Sequence, residues 1–174
     1  MIITLLGESN CGKSTIGKKL ADTLDIKYVS SGDIARSMSE DVNRSLNNGD
    51  LAPEDAMREE ILKRISDTNG NIILDGFPRF EDQYKWLNGF GYDIVNIVIE
   101  VPYSQIVARS KSRHRADDCS IEKKHKFYEE NTLPMIREIA KYGDIVWTYS
   151  NFDGEDIDET VNLICDNVRR LENC

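Results

Sequence analysis

Ile2-Ile3-Thr4-Leu5-Leu6-Gly7-Glu8-Ser9-Asn10-Cys11-Gly12-Lys13-Ser14 is the stretch whose reading decides the fold. Its first five residues form a continuous apolar run closed by glycine, the pattern of a strand buried on both faces. The remaining eight fit G-x-x-x-x-G-K-[ST] at every fixed position. Glycines let the backbone bend so that successive N–H groups converge on phosphate oxygens, and the helix that follows adds its positive end. Lys13 is a point charge for β- and γ-phosphates, and Ser14 offers a hydroxyl to Mg²⁺. Ile16, Leu20 and Leu24 follow at helical spacing, so the motif sits between a strand and a helix, the setting its chemistry requires. Cys11 has two readings: a thiol activated by the helix N-terminus, or, favoured, a small filler where side-chain size matters little.

Outward from this loop the same alternation repeats. Lys27-Tyr28-Val29 reads as a short strand. Pro53-Glu54-Asp55-Ala56 starts a helix, with Pro in the first turn and acids facing the positive end of the dipole, and Met57, Ile61, Leu62 and Ile65 supply its apolar stripe. Asn69-Gly70 turns into Ile72-Ile73-Leu74, a second buried strand ending in Asp75. Ile94 to Val101 and Ile145-Val146-Trp147 are two further apolar runs. Ile157, Val161, Ile164, Val168 and Leu171 form the stripe of a last amphipathic helix. Five strands alternating with helices predict an α/β fold, a parallel sheet covered on both faces in three layers. With no repeat, low-complexity tract or linker, residues 1–174 read as one domain. Asp75, at a strand end, is either a turn residue or, favoured beside a phosphate loop, a metal-directed carboxylate.

Composition bounds the function. The 174 residues carry 22 lysines and arginines against 31 aspartates and glutamates, a net charge of −9. The pI is near 4.8. A chain so acidic is repelled by a nucleic-acid backbone unless its basic residues cluster. Apolar runs fall short of the roughly 20 residues of a membrane helix, and no secretory signal is legible at the N-terminus, so a cytoplasmic location is expected. Four scattered cysteines (Cys11, Cys119, Cys165, Cys174) give little support to a zinc cluster or disulfide framework.

The segments after the second and third strands sharpen the reading. Asp75-Gly76-Phe77-Pro78-Arg79 followed by Gln83 resembles the acceptor-site motif of adenylate kinase and its nucleoside-monophosphate kinase relatives. Ser31-Gly32-Asp33-Ile34-Ala35-Arg36 resembles that family's other acceptor motif, and Leu51-Ala52-Pro53-Glu54 the stretch edging the acceptor base. The resemblance implies a P-loop fold around a five-stranded parallel sheet, with a small acceptor-binding insertion at about 31–66. It implies that Gly7, Asn10, Cys11, Gly12, Lys13, Ser14 and Thr15 bind ATP, and that Ser14, Asp33 and Asp75 serve Mg²⁺. Ser31, Gly32, Leu51, Ala52 and Gly76 would line the acceptor site. Arg36 and Arg79 would clamp its α-phosphate, since a planar guanidinium meets phosphate oxygens bidentately, and Gln83 would pair its amide with an adenine edge. Phe77 and Trp86 are read as packing residues.

The basic residues do cluster: residues 109–126 hold seven basic and three acidic side chains, a local +4 in a chain whose remainder sums to −13. Val101-Pro102, Arg109 and Arg113 are similar to the family's approach to its lid, and Arg115-Ala116-Asp117-Asp118 to its R-x-D-D motif. Arg109 would lie over the donor base, with Arg113, Arg115 and Lys124 closing on the transferring phosphoryl group. Three departures stand out. The lid, at about 113–124, is very short. The helix after Arg36 is trimmed, with fifteen positions to Leu51. Lys123-Lys124 stand where the family carries a basic residue paired with an arginine, before Thr132-Leu133-Pro134.

The expected activity is transfer of the γ-phosphoryl group of MgATP to a (deoxy)nucleoside monophosphate, AMP or dAMP favoured, by a monomer with no nucleic-acid or membrane partner. Another or modified nucleotide acceptor stays open, as does a non-nucleotide metabolite, although the latter predicts no paired Arg36 and Arg79. A thymidylate-kinase-like enzyme would carry a D-R-Y/H type motif where Asp75-Gly76-Phe77-Pro78-Arg79 stands, and a GTPase an N-K-x-D string, which does not occur.

Overall fold

β1 (Ile2–Leu6) lies at the centre of a five-stranded sheet of order β2-β3-β1-β4-β5. The other strands are β2 (Lys27–Ser30), β3 (Ile72–Asp75), β4 (Ile94–Glu100) and β5 (Ile145–Ser150), and every pairing is parallel. The computed structural model describes residues 1–47, 51–113, 121–141 and 144–172. Helices connect the strands: α1 (Lys13–Leu24), α2 (Ser31–Ser37), α3 (Glu40–Asn47), α4 (Glu54–Asp67), α5 (Glu81–Asn88), α6 (Tyr103–Arg113), α7 (Ile121–Phe127), α8 (Leu133–Lys141) and α9 (Ile157–Glu172).

Strand alternation divides the core into two layers. Ile3 and Leu5 face α1, α6 and α9, packing with Ile16, Leu20, Ile106, Val161, Ile164 and Val168. Ile2 faces α2 and α4 through Ile34, Met57, Ile61 and Ile65. Leu6 meets Tyr84 of α5 and Met135, Ile136 and Ile139 of α8. All five β1 residues are buried, so each face gains the transfer energy of whole side chains, about 1.5–3 kcal/mol apiece. The polar interruptions within the sheet satisfy one another. Thr4 Oγ1 donates to Asn96 Oδ1 at 2.8 Å, and Asn96 Nδ2 donates to the Ile145 carbonyl at 3.0 Å, tying β1, β4 and β5 together.

Several expectations are corrected in detail. Leu62 is 39% exposed: one residue beyond Ile61 it has rotated off the buried face, and Met57, Ile61 and Ile65 alone carry the stripe. β2 and β5 are half-exposed rather than covered, because they form the sheet's two edges. The trimmed segment after Arg36 still holds a second helix, α3, after α2 ends at Ser37. Between α7 and α8 the helix widens into a π turn at Tyr128–Thr132, where the Leu133 N–H donates to the Tyr128 carbonyl. Pro134, which has no N–H to give, stands just beyond this irregularity. Among the described residues no helix is long and apolar enough to cross a membrane.

Candidate functional site

The five strands end at Leu6, Ser30, Asp75, Glu100 and Ser150, and the loops leaving this one edge carry nearly all the candidate residues, as open parallel sheets dictate. The β1–α1 loop bends through positive φ at Gly7, Asn10 and Gly12. Only glycine fits at two of these points. A Cβ on Gly7 would strike the Ile99 carbonyl oxygen, and one on Gly12 the Asn151 amide. Lys13 Nζ donates to the carbonyls of Gly7 (2.9 Å) and Glu8 (2.6 Å), so the ammonium is held over the centre of its own loop.

Cys11 is not the indifferent filler expected. Its side chain is fully buried in the core beneath the loop, with Sγ 3.5 Å from Lys13 Nζ. Its carbonyl oxygen accepts from Asn151 Nδ2 at 2.8 Å and from Arg109 Nη1 at 3.5 Å. Size at this position is set by the core, which also shuts the thiol away from solvent.

Beside the loop, a cleft of about 470 Å³ is lined by Asn10, Gly12, Lys13, Ser14, Thr15, Arg109 and the segment 151–155. Arg109 is braced there, with Nη2 donating to the Asn151 carbonyl and to Asp153 Oδ1, both at 2.7 Å. Glu155 shapes the segment by accepting from the Ser150 hydroxyl and the Phe152 N–H.

Asp75, 4% exposed, accepts at one oxygen from Ser14 Oγ at 2.7 Å and from the Tyr28 hydroxyl at 2.5 Å. Burial, followed by the adjacent Asp75 charge, pushes the Tyr28 hydroxyl well above its ordinary pKa, so it remains a donor. A hydroxyl and a carboxylate are hard oxygen donors of the kind Mg²⁺ takes alongside water and phosphate. No group of three or more His, Cys, Asp or Glu side chains placed to hold a metal occurs among the described residues. Asp33 is ion-paired with Arg36, whose hydrogen bond holds its carboxyl below the usual range.

One residue past Asp75 a second cluster begins, built from residues of the two motifs expected to bind the acceptor. The Gly76 carbonyl accepts from Ser31 Oγ at 2.8 Å and from Arg79 Nε at 2.9 Å. Arg79 Nη2 lies 3.5 Å from Ser31 Oγ. Burial lowers the Arg79 pKa, countered by the Asp75 charge and reinforced by Arg36. A guanidinium drawn out of water beside a second one makes this a place for an anion. Gly32 packs under the Arg36 guanidinium. Gln83 is buried, accepting from the Arg79 N–H and donating to Glu54 Oε2, each at 2.7 Å. Leu51 and Ala52 are half-buried, Ala52 against the α2–α4 core. Trp86 meets Phe77 edge-to-face, as packing residues do.

Of the residues expected to form a lid, Lys124 sits half-buried in α7. Arg113 ends α6; its side chain, and the whole of Arg115, lie outside the described residues, as does the R-x-D-D stretch. Sequence reasoning missed Asn151, Asp153, Tyr28 and the contact between Glu8 and His125 (2.9 Å). Asn151 and Asp153 were findable as the first polar residues beyond a strand's C-terminal end; Tyr28 and His125 gave no signal of their own.

The sequence profile of the family described as "AAA domain" matches residues 6–125. The adenylate kinase of Mycolicibacterium paratuberculosis is 36% identical over 168 residues, 85% of this chain and 92% of its own. That of Mycobacterium ulcerans is 35% identical over 153 residues, 78% and 84% of the two chains. That of Mycobacterium tuberculosis is 34% identical over 168 residues, again 85% and 92%.

Proposed function

The chain belongs to the adenylate kinase family, whose members are ATP-using nucleoside-monophosphate kinases, and on that premise we propose that it transfers the γ-phosphoryl group of MgATP to AMP or dAMP. An α-phosphate oxygen of the acceptor forms the new P–O bond as the bond from Pγ to the β–γ bridging oxygen breaks, releasing ADP. The observation that carries this reading is that two consecutive residues of one strand end hold both halves of the site. Asp75 accepts from Ser14 of the phosphate loop, and Gly76 accepts from Ser31 and Arg79 of the acceptor cluster.

In this reading Lys13 and the loop N–H groups bind the donor phosphates, and Arg109 lies at the donor base. Ser14 and Asp75, with Asp33 at the acceptor side, hold Mg²⁺, which when bound neutralises charge on the phosphates. Arg36 and Arg79 fix the acceptor phosphate, and Gln83 reads its base from between Leu51, Ala52 and Gly76. Arg113, Arg115 and Lys124 close over the transferred group as a very short lid, while the protein acts as a monomer. Catalysis is positioning and charge neutralisation, with no covalent intermediate.

The test is ADP release from MgATP with a panel of ribo- and deoxynucleoside monophosphates. Turnover with AMP or dAMP above all others is expected. Turnover with a pyrimidine or modified nucleotide alone would overturn the acceptor assignment, and none with any nucleotide would overturn the proposal.

A further inference from the structure

Gln83 is expected to read a base, yet both ends of its amide already have partners. Oε1 accepts from the Arg79 backbone N–H and Nε2 donates to Glu54 Oε2, both at 2.7 Å. A primary amide has two lone pairs on oxygen and two protons on nitrogen, so one of each remains. The two partners also fix which end is which. Rotating the amide by 180° would set its oxygen against a carboxylate and its NH₂ against an N–H, losing both bonds, one of them to a charged acceptor.

The carboxylate that imposes this polarity is itself held. Glu54 stands in the first turn of α4 with Oε1 accepting from Arg58 Nε at 2.6 Å, while Arg58 lies 5.6 Å from the centre of the Trp86 ring. Arg58 and Gln83 thus take one oxygen each. On the other side, the Arg79 carbonyl accepts from Thr132 Oγ1 at 2.7 Å, which ties this stretch of backbone to the π turn before α8.

We propose that Glu54 is the specificity-setting residue of the acceptor site: it locks the Gln83 amide in one polarity and so makes the site reject 6-oxopurines. A free glutamine is ambidextrous, since flipping its amide exchanges donor for acceptor. The locked one offers an acceptor at Oε1 and a donor at Nε2. The adenine edge, a 6-amino donor beside the N1 acceptor, meets this pattern. Hypoxanthine and guanine carry the reverse, a 6-oxo acceptor beside an N1–H donor, and would leave buried polar groups opposed. Glu54 is a positioning residue here and touches no reacting atom. The inference rests on the proposed base-reading role of Gln83.

AMP and inosine monophosphate separate shape from polarity, because their bases share a ring system and differ at the 6-substituent and N1 proton. kcat/KM for both is measured with wild type, Glu54→Gln, Glu54→Ala and Gln83→Ala, alongside thermal melting of each protein. The expected result is a preference for AMP that falls at least about tenfold in Glu54→Gln, with inosine monophosphate use rising, because an amide in place of the carboxylate can accept or donate, so that the charged half of the lock is gone and only the neutral Arg79 N–H still opposes a flip of Gln83. Glu54→Ala should show the same relaxation, which keeps the test open if one variant folds poorly. An unchanged AMP-to-inosine ratio in both Glu54 variants, or equal loss with both substrates, would overturn the inference. A ratio unmoved by Gln83→Ala would instead overturn the base-reading role beneath it. A wild-type enzyme indifferent to the two bases would overturn both.

Discussion

Glu8 Oε1, on a phosphate-loop side chain buried to 7% exposure, lies 2.9 Å from His125 Nδ1 in α7, joining residues 117 positions apart. The imidazole stacks on Tyr103 of α6 with ring centres 3.8 Å apart, and its Nε2 is 3.6 Å from Glu129. These two contacts together tie the phosphate loop to α6 and α7. Replacing His125 by alanine leaves a buried carboxylate without this partner, at a cost of about 1–3 kcal/mol. The expected outcome is a lower Tm in calorimetry by several degrees; an unchanged Tm would show that the contact adds nothing.

The same carboxylate sets a pH dependence. Burial raises the Glu8 pKa above its ordinary value, although His125 and Lys13 pull against it. A raised folded pKa contributes stability that is fully present below the unfolded value of 4.5 and is lost as pH rises through the folded one. The Tm advantage of Glu8 over Glu8→Gln should therefore shrink from pH 4.5 upward. Measuring it in a His125→Leu background removes the imidazole and keeps the sign. An advantage that grows with pH contradicts this account.

Lys13 is the loop's central cation, and Lys13→Ala should lower kcat by about 10²–10³-fold or more with little change in Tm. Retained turnover in the ADP-release assay would remove Lys13 from the donor site.

Asn151 both closes on Gly12 and donates to the Cys11 carbonyl. Asn151→Ala should loosen the loop and raise the KM for ATP roughly tenfold, the scale of about 1.4 kcal/mol, while leaving the acceptor KM near wild type. Gly12→Ala, whose Cβ would collide with Asn151, should lose ATP binding in a direct titration. Equal damage to both KM values in Asn151→Ala would point to general disorder instead.

Arg79→Ala should act on the other substrate. Loss of a guanidinium from the proposed phosphate clamp predicts an acceptor kcat/KM reduced by about 10²-fold or more, with ATP affinity kept. An unchanged acceptor KM and kcat would take Arg79 out of the site.

Most of the fold was legible because its signals are local. Apolar runs at 2–6, 72–74 and 94–101 became the three inner strands, Ile2–Leu6, Ile72–Asp75 and Ile94–Glu100, and the stripe of α9 packed as spaced. Errors came where burial depends on a neighbour. Leu62 has the right chemistry but the wrong angle, and Cys11 looked optional until the core beneath the loop enclosed it. The motif residues proposed for the site gather at the same strand ends, because short motifs with glycine, lysine and arginine at fixed offsets are local signals too.

The amino-acid sequence by itself determined the sheet-and-helix alternation and the phosphate loop, since periodicity and short motifs are properties of neighbouring residues. The tertiary structure alone decided that Tyr28 and Ser14 share one oxygen of Asp75, that Asn151 closes on Gly12, and that Glu54 holds the nitrogen of Gln83. Those pairings join residues tens of positions apart, and a hydrogen bond's direction exists only once both partners are fixed in space.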